Sequence, residues 1–414
     1  MNDRSDPSPR RGAGVPRPAS QHPSVRDVPR TVWALGFVSL FMDVSSELIH
    51  ALLPLFLVDT LGVSMAAVGL IEGVAEATAS ITKVFSGVLS DRIGKRKLLA
   101  VIGYGLGAAS KPVFPLAGSA AAVLAARFVD RVGKGIRGAP RDAMVADVTA
   151  PELRGTAYGL RQALDSVGAF AGPLLAVVLM AAYADRIRAV LWWAVVPAAI
   201  SVLLIVFAVR EPAGTAPARR QVPLRRRDLK ALGRDYWMVV GIGVLFTMAR
   251  FSEAFLVLKG QASGLSLTLV PLVMVCMNAV YATAATPVGA LSDRIGRRGL
   301  LAAGMVVLAL ADVVLATGPG LVWLFAGASL WGLHMALSQG LLSALVADAA
   351  APNVRGTAFG VFNLVTGVML LLASVVAGAL WQAVGPATTF GAGAAFAVVV
   401  ALLLLAAPRN EPAG

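Results

Sequence analysis

A chain of 414 residues that is 57% hydrophobic and only 14% charged, with a mean hydropathy of +0.76, is too apolar for a soluble globular protein. Its net charge of +13 sits mainly in short stretches between apolar runs, a distribution that the positive-inside tendency of membrane proteins explains without a nucleic-acid partner. The single cysteine, Cys276, excludes an intrachain disulfide and a cysteine-rich metal site.

The chain opens with residues 1–30, rich in Pro, Ser and Arg and without periodicity; this reads as a disordered cytoplasmic tail and not as a signal peptide. Because about 20 apolar residues cross a bilayer as a helix, the rest reads as twelve membrane segments. Six are expected near residues 31–60, 65–90, 98–116, 120–144, 156–183 and 189–209. Six more are expected near 236–258, 268–291, 299–317, 320–346, 357–384 and 388–407. The fold class is therefore all-α and polytopic. An N-terminal bundle of six helices, 31–209, is joined to a C-terminal bundle, 235–407, by a basic linker at 210–234, and residues 408–414 form a second short tail.

The linker carries Arg225, Arg226 and Arg227, and after six helices it falls on the side of the N-terminal tail. The loops holding Lys95, Arg96 and Lys97, and Arg297 and Arg298, fall there too, whereas connections near 61–64, 318–319 and 385–386 carry no Lys or Arg. Both termini are expected in the cytoplasm, with the chain in the inner (plasma) membrane. Trp192, Trp193, Trp323 and Trp381 lie near segment ends, where an interfacial belt would put them.

After the second segment stands Gly87-Val-Leu-Ser-Asp91-Arg92-Ile-Gly94-Lys95-Arg96, and after the eighth Gly289-Ala-Leu-Ser-Asp293-Arg294-Ile-Gly296-Arg297-Arg298. This paired loop resembles the cytoplasmic signature of the major facilitator superfamily. A second echo follows: the stretch from Asp147 through Arg154 to Gly159 matches the one from Asp348 through Arg355 to Gly360, at an offset of 201. The resemblance implies two parallel six-helix repeats in the pattern of this superfamily. It also implies that Asp91 and Asp293 sit near helix N-termini, where the dipole favours a carboxylate. Lys95 or Arg96 would then meet Asp147, and Arg297 would meet Asp348, locking the cytoplasmic side while a cavity faces out. The same charges serve as topology anchors.

In the fifth segment, Gly159, Gly168, Gly172 and Pro173 resemble the Gly-Pro motif of the superfamily's proton-coupled exporters, except that Ala176 and Val177 stand where the pattern continues with glycines. Small residues allow close helix approach, and the proline frees a backbone carbonyl. Plain helix packing is the alternative.

Charges within the segments need an account, since each costs roughly 2.5–3.5 kcal/mol at a helix centre. Segment one carries Asp43, Glu47 and His50 on one face; segment two carries Glu72, Glu76 and Lys83. In segment four Arg127, Asp130, Lys134, Arg137 and Arg141 form one stripe, with Arg131 and Asp142 flanking it. Segment five adds Arg161 and Asp165, and segment seven Arg250 and Glu253. Such charges must line a wet cavity or pair with one another. Arg131-x-x-Lys134-Gly135 also resembles the superfamily's fourth-helix R-x-x-Q-G motif, whose Arg is linked to proton transfer; Lys134 replaces the Gln. At the offset of 201 the second half has Trp331 for Asp130, Gly332 for Arg131, Met335 for Lys134, Ser338 for Arg137, Leu342 for Arg141 and Ser343 for Asp142. The first half's charges therefore read as functional. Asn278, Tyr281 and His334 are polar points of the second half, the last two read equally as packed side chains, and Met305 and Met335 read as core fillers.

No G-x-S-x-G, H-E-x-x-H or phosphate-loop pattern is present, which speaks against a membrane-embedded lipid enzyme and an ATP-driven pump. The expected function is secondary transport of a small molecule by alternating access. Export by antiport with protons is the leading direction, with uptake of an organic anion by symport as the alternative. The proton gradient is the energy source, with no cofactor or metal, and the lipid bilayer and protons are the other partners of a monomer.

Overall fold

The computed structural model describes residues 25–93, 95–211, 229, 232–295, 297–338, 340–351 and 354–406; the side chains of 87, 88, 91, 92 and 289–295 lie outside that description. Most of the expected N-terminal tail and basic linker lies outside it as well. All regular structure among the described residues is helical. The N-terminal half holds α1 (Arg30–Leu55, extended by Phe56–Thr60), α2 (Met65–Ile93), α3 (Arg96–Ser110, continued by Val113–Leu116), α4 (Ala120–Val148), α5 (Arg154–Ala182) and α6 (Val195–Phe207, preceded by Ile187–Trp192). The C-terminal half holds α7 in two pieces (Arg234–Ala249 and Ala254–Ala262), α8 (Leu272–Ile295), α9 (Arg297–Thr317), α10 (Gly320–Ser338, continued by Leu341–Ala349), α11 (Arg355–Ala383) and α12 (Pro386–Ala406).

Ten spans among the described residues are long and apolar enough to cross a membrane. The other two helices are α4, which is too charged, and α8, whose apolar stretch Leu272–Val288 is short. Both are enclosed by neighbours: α4 lies against α2 and α3, α8 against α10 and α5. Four segments expected to be continuous are interrupted, α6 by a turn at Trp193-Ala194. α3 stops at Ser110 because Pro112 cannot donate to the helical ladder. α10 is interrupted before Gly340, which takes the left-handed conformation (φ +83°). α7 breaks at Arg250-Phe251-Ser252-Glu253; irregular backbone at that depth is tolerated because it borders a cavity.

Helix neighbours repeat between the halves. α1 packs on α5 and α6, α3 on α4 and α6, and α2 on α4; likewise α7 packs on α11 and α12, α9 on α10 and α12, and α8 on α10. The halves meet where α2 lies on α11 and α5 on α8. Along the α2–α11 seam the backbones touch: a Cβ at Gly69 would strike Ser374, and one at Gly378 would strike Met65 and Ala66.

One end of the molecule is sealed and the other is split. At the sealed end a single apolar cluster spans both halves, including Leu52, Leu53 and Phe56 of α1 with Phe255, Val257 and Leu258 of α7. Asp59 accepts two bonds from Gln261 Nε2 (2.9 and 2.8 Å), Thr268 donates to Asp185 (2.5 Å), and the Ala66 amide donates to Gln382 (3.3 Å). At the other end each half keeps its own cluster, Val32, Leu35 and Met144 in one and Tyr236, Val346 and Phe362 in the other. Of the expected aromatic belt, Trp192, Trp193 and Trp323 are exposed, but Trp381 is buried against Phe255 and Phe390 and belongs to the core.

Candidate functional site

The split end leads into a cavity of about 700 Å³ between the halves. Its most charged wall is α4. Ser119 caps this helix by accepting the Ala122 amide (3.3 Å). Glycines then let it sink between its neighbours, since a Cβ at Gly133 would strike Gly103 of α3 and one at Gly135 would strike Thr82 of α2. That close approach carries the helix's charges into the bundle, where they sort into two layers.

The deep layer is closed off from the cavity. Arg127 (1% exposed) donates to Glu72 (0% exposed) at 2.6 Å, and Ser252 at the α7 break donates to the same oxygen at 3.4 Å. Lys111 (1% exposed) donates to Asp130 at 2.8 Å and to Ser46 at 3.0 Å. His50 bridges the layers, with Nδ1 3.2 Å from Glu47 and Nε2 3.8 Å from Glu72. Stranding one member of such a buried pair costs about 3–5 kcal/mol. Arg127 and Asp130 therefore hold helices together and do not line the cavity, which shortens the expected stripe; Glu72 likewise faces inward to its pair.

The cavity layer holds both paired and unpaired charges. Arg131, expected at the flank, faces the cavity and pairs with Glu76 at 3.4 Å. Arg141 lies 3.0 Å from Asp142 and 3.8 Å from Asp165, and Arg250 lies 3.1 Å from Glu253. Arg161 donates to Asp165 at 2.6 Å and sits behind the lining. Among the described residues, Asp43, Lys83, Lys134 and Arg137 line the cavity with no ion-pair partner within 4 Å. Arg137 stacks over the Tyr104 ring (4.9 Å to the centroid), yet its Nη1 is buried without a hydrogen-bond partner.

The opposite wall comes from the second half: Phe246, Phe251, Tyr281, Met335, Phe362 and Leu370, with Ser338, Leu342 and Ser343. Met335 borders the cavity and is also buried in the core cluster, as Met305 is. Asn278 lines the cavity too and donates to Ala169 of α5 at 3.0 Å. His334 is buried, with Nδ1 2.8 Å from the Gly304 carbonyl, and takes the packing role.

The motif glycines of α5 lie on the carboxylate-bearing face of α1. A Cβ at Gly168 would strike Leu40 and Asp43, and one at Gly172 would strike Val44 and Glu47. Gly159 meets open space. Pro173 is buried inside the continuous α5.

Of the loop residues, Gly94 and Gly296 and the side chains of Gly87, Asp91, Arg92, Gly289, Asp293 and Arg294 lie outside the described residues. Arg96 pairs with Asp147 and Arg297 with Asp348, while Lys95 is exposed with no such partner. Each pair joins two helices of the same half and forms while the cavity is open on that end. They staple α3 to α4 and α9 to α10, and do not lock the halves together as expected.

Three polar groups escaped the reading of the sequence: Lys111, Ser252 and Asp312. Asp312, fully buried, accepts a bond from Trp331 Nε1 at 2.9 Å. The repeat could have found it. At the offset of 201, Asp312 stands for Lys111 and Trp331 for Asp130, so the second half keeps the bond with donor and acceptor exchanged.

The family model described as Major Facilitator Superfamily matches residues 35–259 and, again, 238–414. An uncharacterized MFS-type transporter of Methanocaldococcus jannaschii is 31% identical over 389 residues, 92% of this chain and 95% of that one. The multidrug resistance protein MdtH of Aeromonas hydrophila is 31% identical over 143 residues, 34% of this chain and 36% of that one. Among solved structures, the human organic anion transporter MFSD10 (TETRAN) matches with a TM-score of 0.67 at 20% identity, over 92% of this chain and 100% of that one.

Proposed function

The chain belongs to the Major Facilitator Superfamily, and from that premise we propose that it exports a small organic molecule by antiport with protons. It is a multi-pass membrane protein and a secondary transporter. The halves rock about the central cavity, exposing it to one side of the membrane at a time. The split end is the cytoplasmic one, both termini lie there, the membrane is the inner (plasma) membrane, and the protein works as a monomer drawing on the proton gradient.

The observation that carries the coupling is Asp43. It is the one carboxylate among the described lining residues without a hydrogen bond or ion-pair partner, and it faces Lys134 and Arg137, which also lack carboxylate partners. The motif glycine Gly168 presses α5 onto the same turn of α1, so a change at Asp43 is felt where the two helices meet. In the cycle, Asp43 takes a proton when the cavity faces outward and releases it to the cytoplasm when the cavity faces inward. The partial likeness to a multidrug resistance protein speaks for export.

Proteoliposomes with an imposed pH gradient test this. Labelled compounds should accumulate against their gradient in exchange for protons, and Asp43→Asn should abolish the accumulation. Transport indifferent to the gradient defeats the coupling. The second reading, uptake by symport, is favoured by the unpaired cations of the same cavity, and it predicts accumulation with the opposite polarity of the gradient.

A further inference from the structure

We infer that the substrate is an amphipathic organic anion: its carboxylate, sulfonate or phosphate group binds Lys134 and Arg137, and its apolar or aromatic body lies against Phe246, Phe251, Tyr281 and Phe362. This rests on the chain being a transporter, and not on the direction or the coupling proposed above.

Charge accounting on the cavity wall comes first. Of the cationic lining side chains, Arg131, Arg141 and Arg250 are each matched by a carboxylate within 4 Å. Lys83, Lys134 and Arg137 are not, and the last two, as neighbours at i and i+3, share one face of α4. Asp43 is the one lining carboxylate left over, so this part of the wall keeps a surplus of positive charge. Hydration of Lys134 is easy, since it is exposed to the cavity. Arg137 is different. It is 4% exposed, and its Nη1 is buried on the α3 side, where a Cβ at Gly107 would lie 3.1 Å from it. Tyr104 covers the guanidinium plane at 4.9 Å and holds that charge on the cavity wall beside Lys134, which is the exposed cation an oxyanion reaches.

The facing wall decides the rest of the molecule. The positions matching Lys134 and Arg137 in the second half, Met335 and Ser338, line the same cavity and carry no charge. Around them stand aromatic side chains, with Ser338, Asn278, Thr247 and Thr366 as the neutral polar groups. A ligand spanning the gap therefore meets cations on one side and rings on the other. A volume of about 700 Å³ suits a molecule of drug-like size.

Binding by the purified chain in nanodiscs, read as ligand-induced thermal stabilisation, tests this without any gradient. The probes share one aromatic body: naphthoate, naphthalenesulfonate and naphthyl phosphate as anions, naphthamide as the neutral, naphthylmethylamine as the cation. At least one anion should stabilise the protein while the neutral and cationic probes do not. Lys134→Met and Arg137→Met should each weaken that binding by about tenfold or more, the loss of one charge-assisted bond. Lys134→Arg should retain it, and serves if the methionine variants fold poorly. Stabilisation by naphthamide or naphthylmethylamine equal to that of the anions overturns the inference. So does anion binding unchanged in Lys134→Met, or no anion binding at all. If anions bind as expected and gradient-driven transport fails, the coupling proposal falls and this one stands.

Discussion

The two halves share a scaffold and differ in what they place on the cavity. Helix neighbours recur pair for pair, and so do the short bonds that hold them: Arg96–Asp147 is repeated as Arg297–Asp348, and Lys111–Asp130 as Trp331–Asp312. The walls do not recur. Where α4 offers Lys134, Arg137, Arg141 and Asp142, α10 offers Met335, Ser338, Leu342 and Ser343, and all eight line the one cavity. A bond that fixes two helices survives duplication even with its chemistry reversed, because any donor and acceptor of the right reach will do. Arg141 and Asp142 pair with each other, but Lys134 and Arg137 have no ion-pair partner to preserve them, so their presence in one half alone marks a task of that half.

This contrast can be broken at four points. The largest effect belongs to the deep layer: Arg127→Met leaves Glu72 buried and uncompensated, and should cost about 3–5 kcal/mol of stability. The double variant Glu72→Met, Arg127→Ala installs the second half's Met274 and Ala328 and should recover most of that loss. Thermal unfolding in detergent reads both, and a single variant as stable as the parent would show that the deep layer is not structural.

Next is Lys134→Met, which borrows the second half's residue. It should insert and fold normally and lose most transport. Because Asp130 is already paired with Lys111, adding a neutral residue at 130 should not restore activity; rescue would mean that Lys134 balances charge instead of meeting substrate.

Asp43→Asn comes third. It should remove uphill accumulation in proteoliposomes and spare downhill exchange, whereas Glu47→Gln and Asp165→Asn alter residues that already hold partners. If all of these and Asp130→Asn still accumulate substrate against a gradient, no carboxylate of this wall couples the proton.

The smallest effect is at the repeated surface pairs. Asp348→Ala, in a pair that is half exposed, should change stability by less than about 1 kcal/mol, with Asp147→Ala close to it. A much larger loss of transport than of stability in either variant would return these loops to a gating role.

The duplication, the twelve helices and the charged face of α4 were all legible in the residues, because apolar length, a repeated Ser-Asp-Arg corner and a spacing of three and four are properties of the chain alone. The division of that face into a buried layer and a wet one was not. Helical periodicity places Arg127 and Lys134 on one side of the helix, but depth depends on what packs above each. Lys111 lies inside the expected segment at 98–116, but its pairing with Asp130 of the next helix depends on how α3 and α4 pack. The α7 break had no local signal either, since Arg250 to Glu253 contains neither Gly nor Pro. At the break Ser252 donates to Glu72 of the first half at 3.4 Å.

The seam between α2 and α11 has a consequence for how the cavity wall can change. Backbone rests on backbone at Gly69 and Gly378, and further along the seam Leu371 packs at Gly73 and Ser80 at Gly367. Small residues at such a seam let two helices lie close with few side chains between them, and polar contacts at the sealed end, such as Asp59 with Gln261, hold the halves in this arrangement. The joint and the cavity wall draw on different residues, so the wall can change without disturbing the joint.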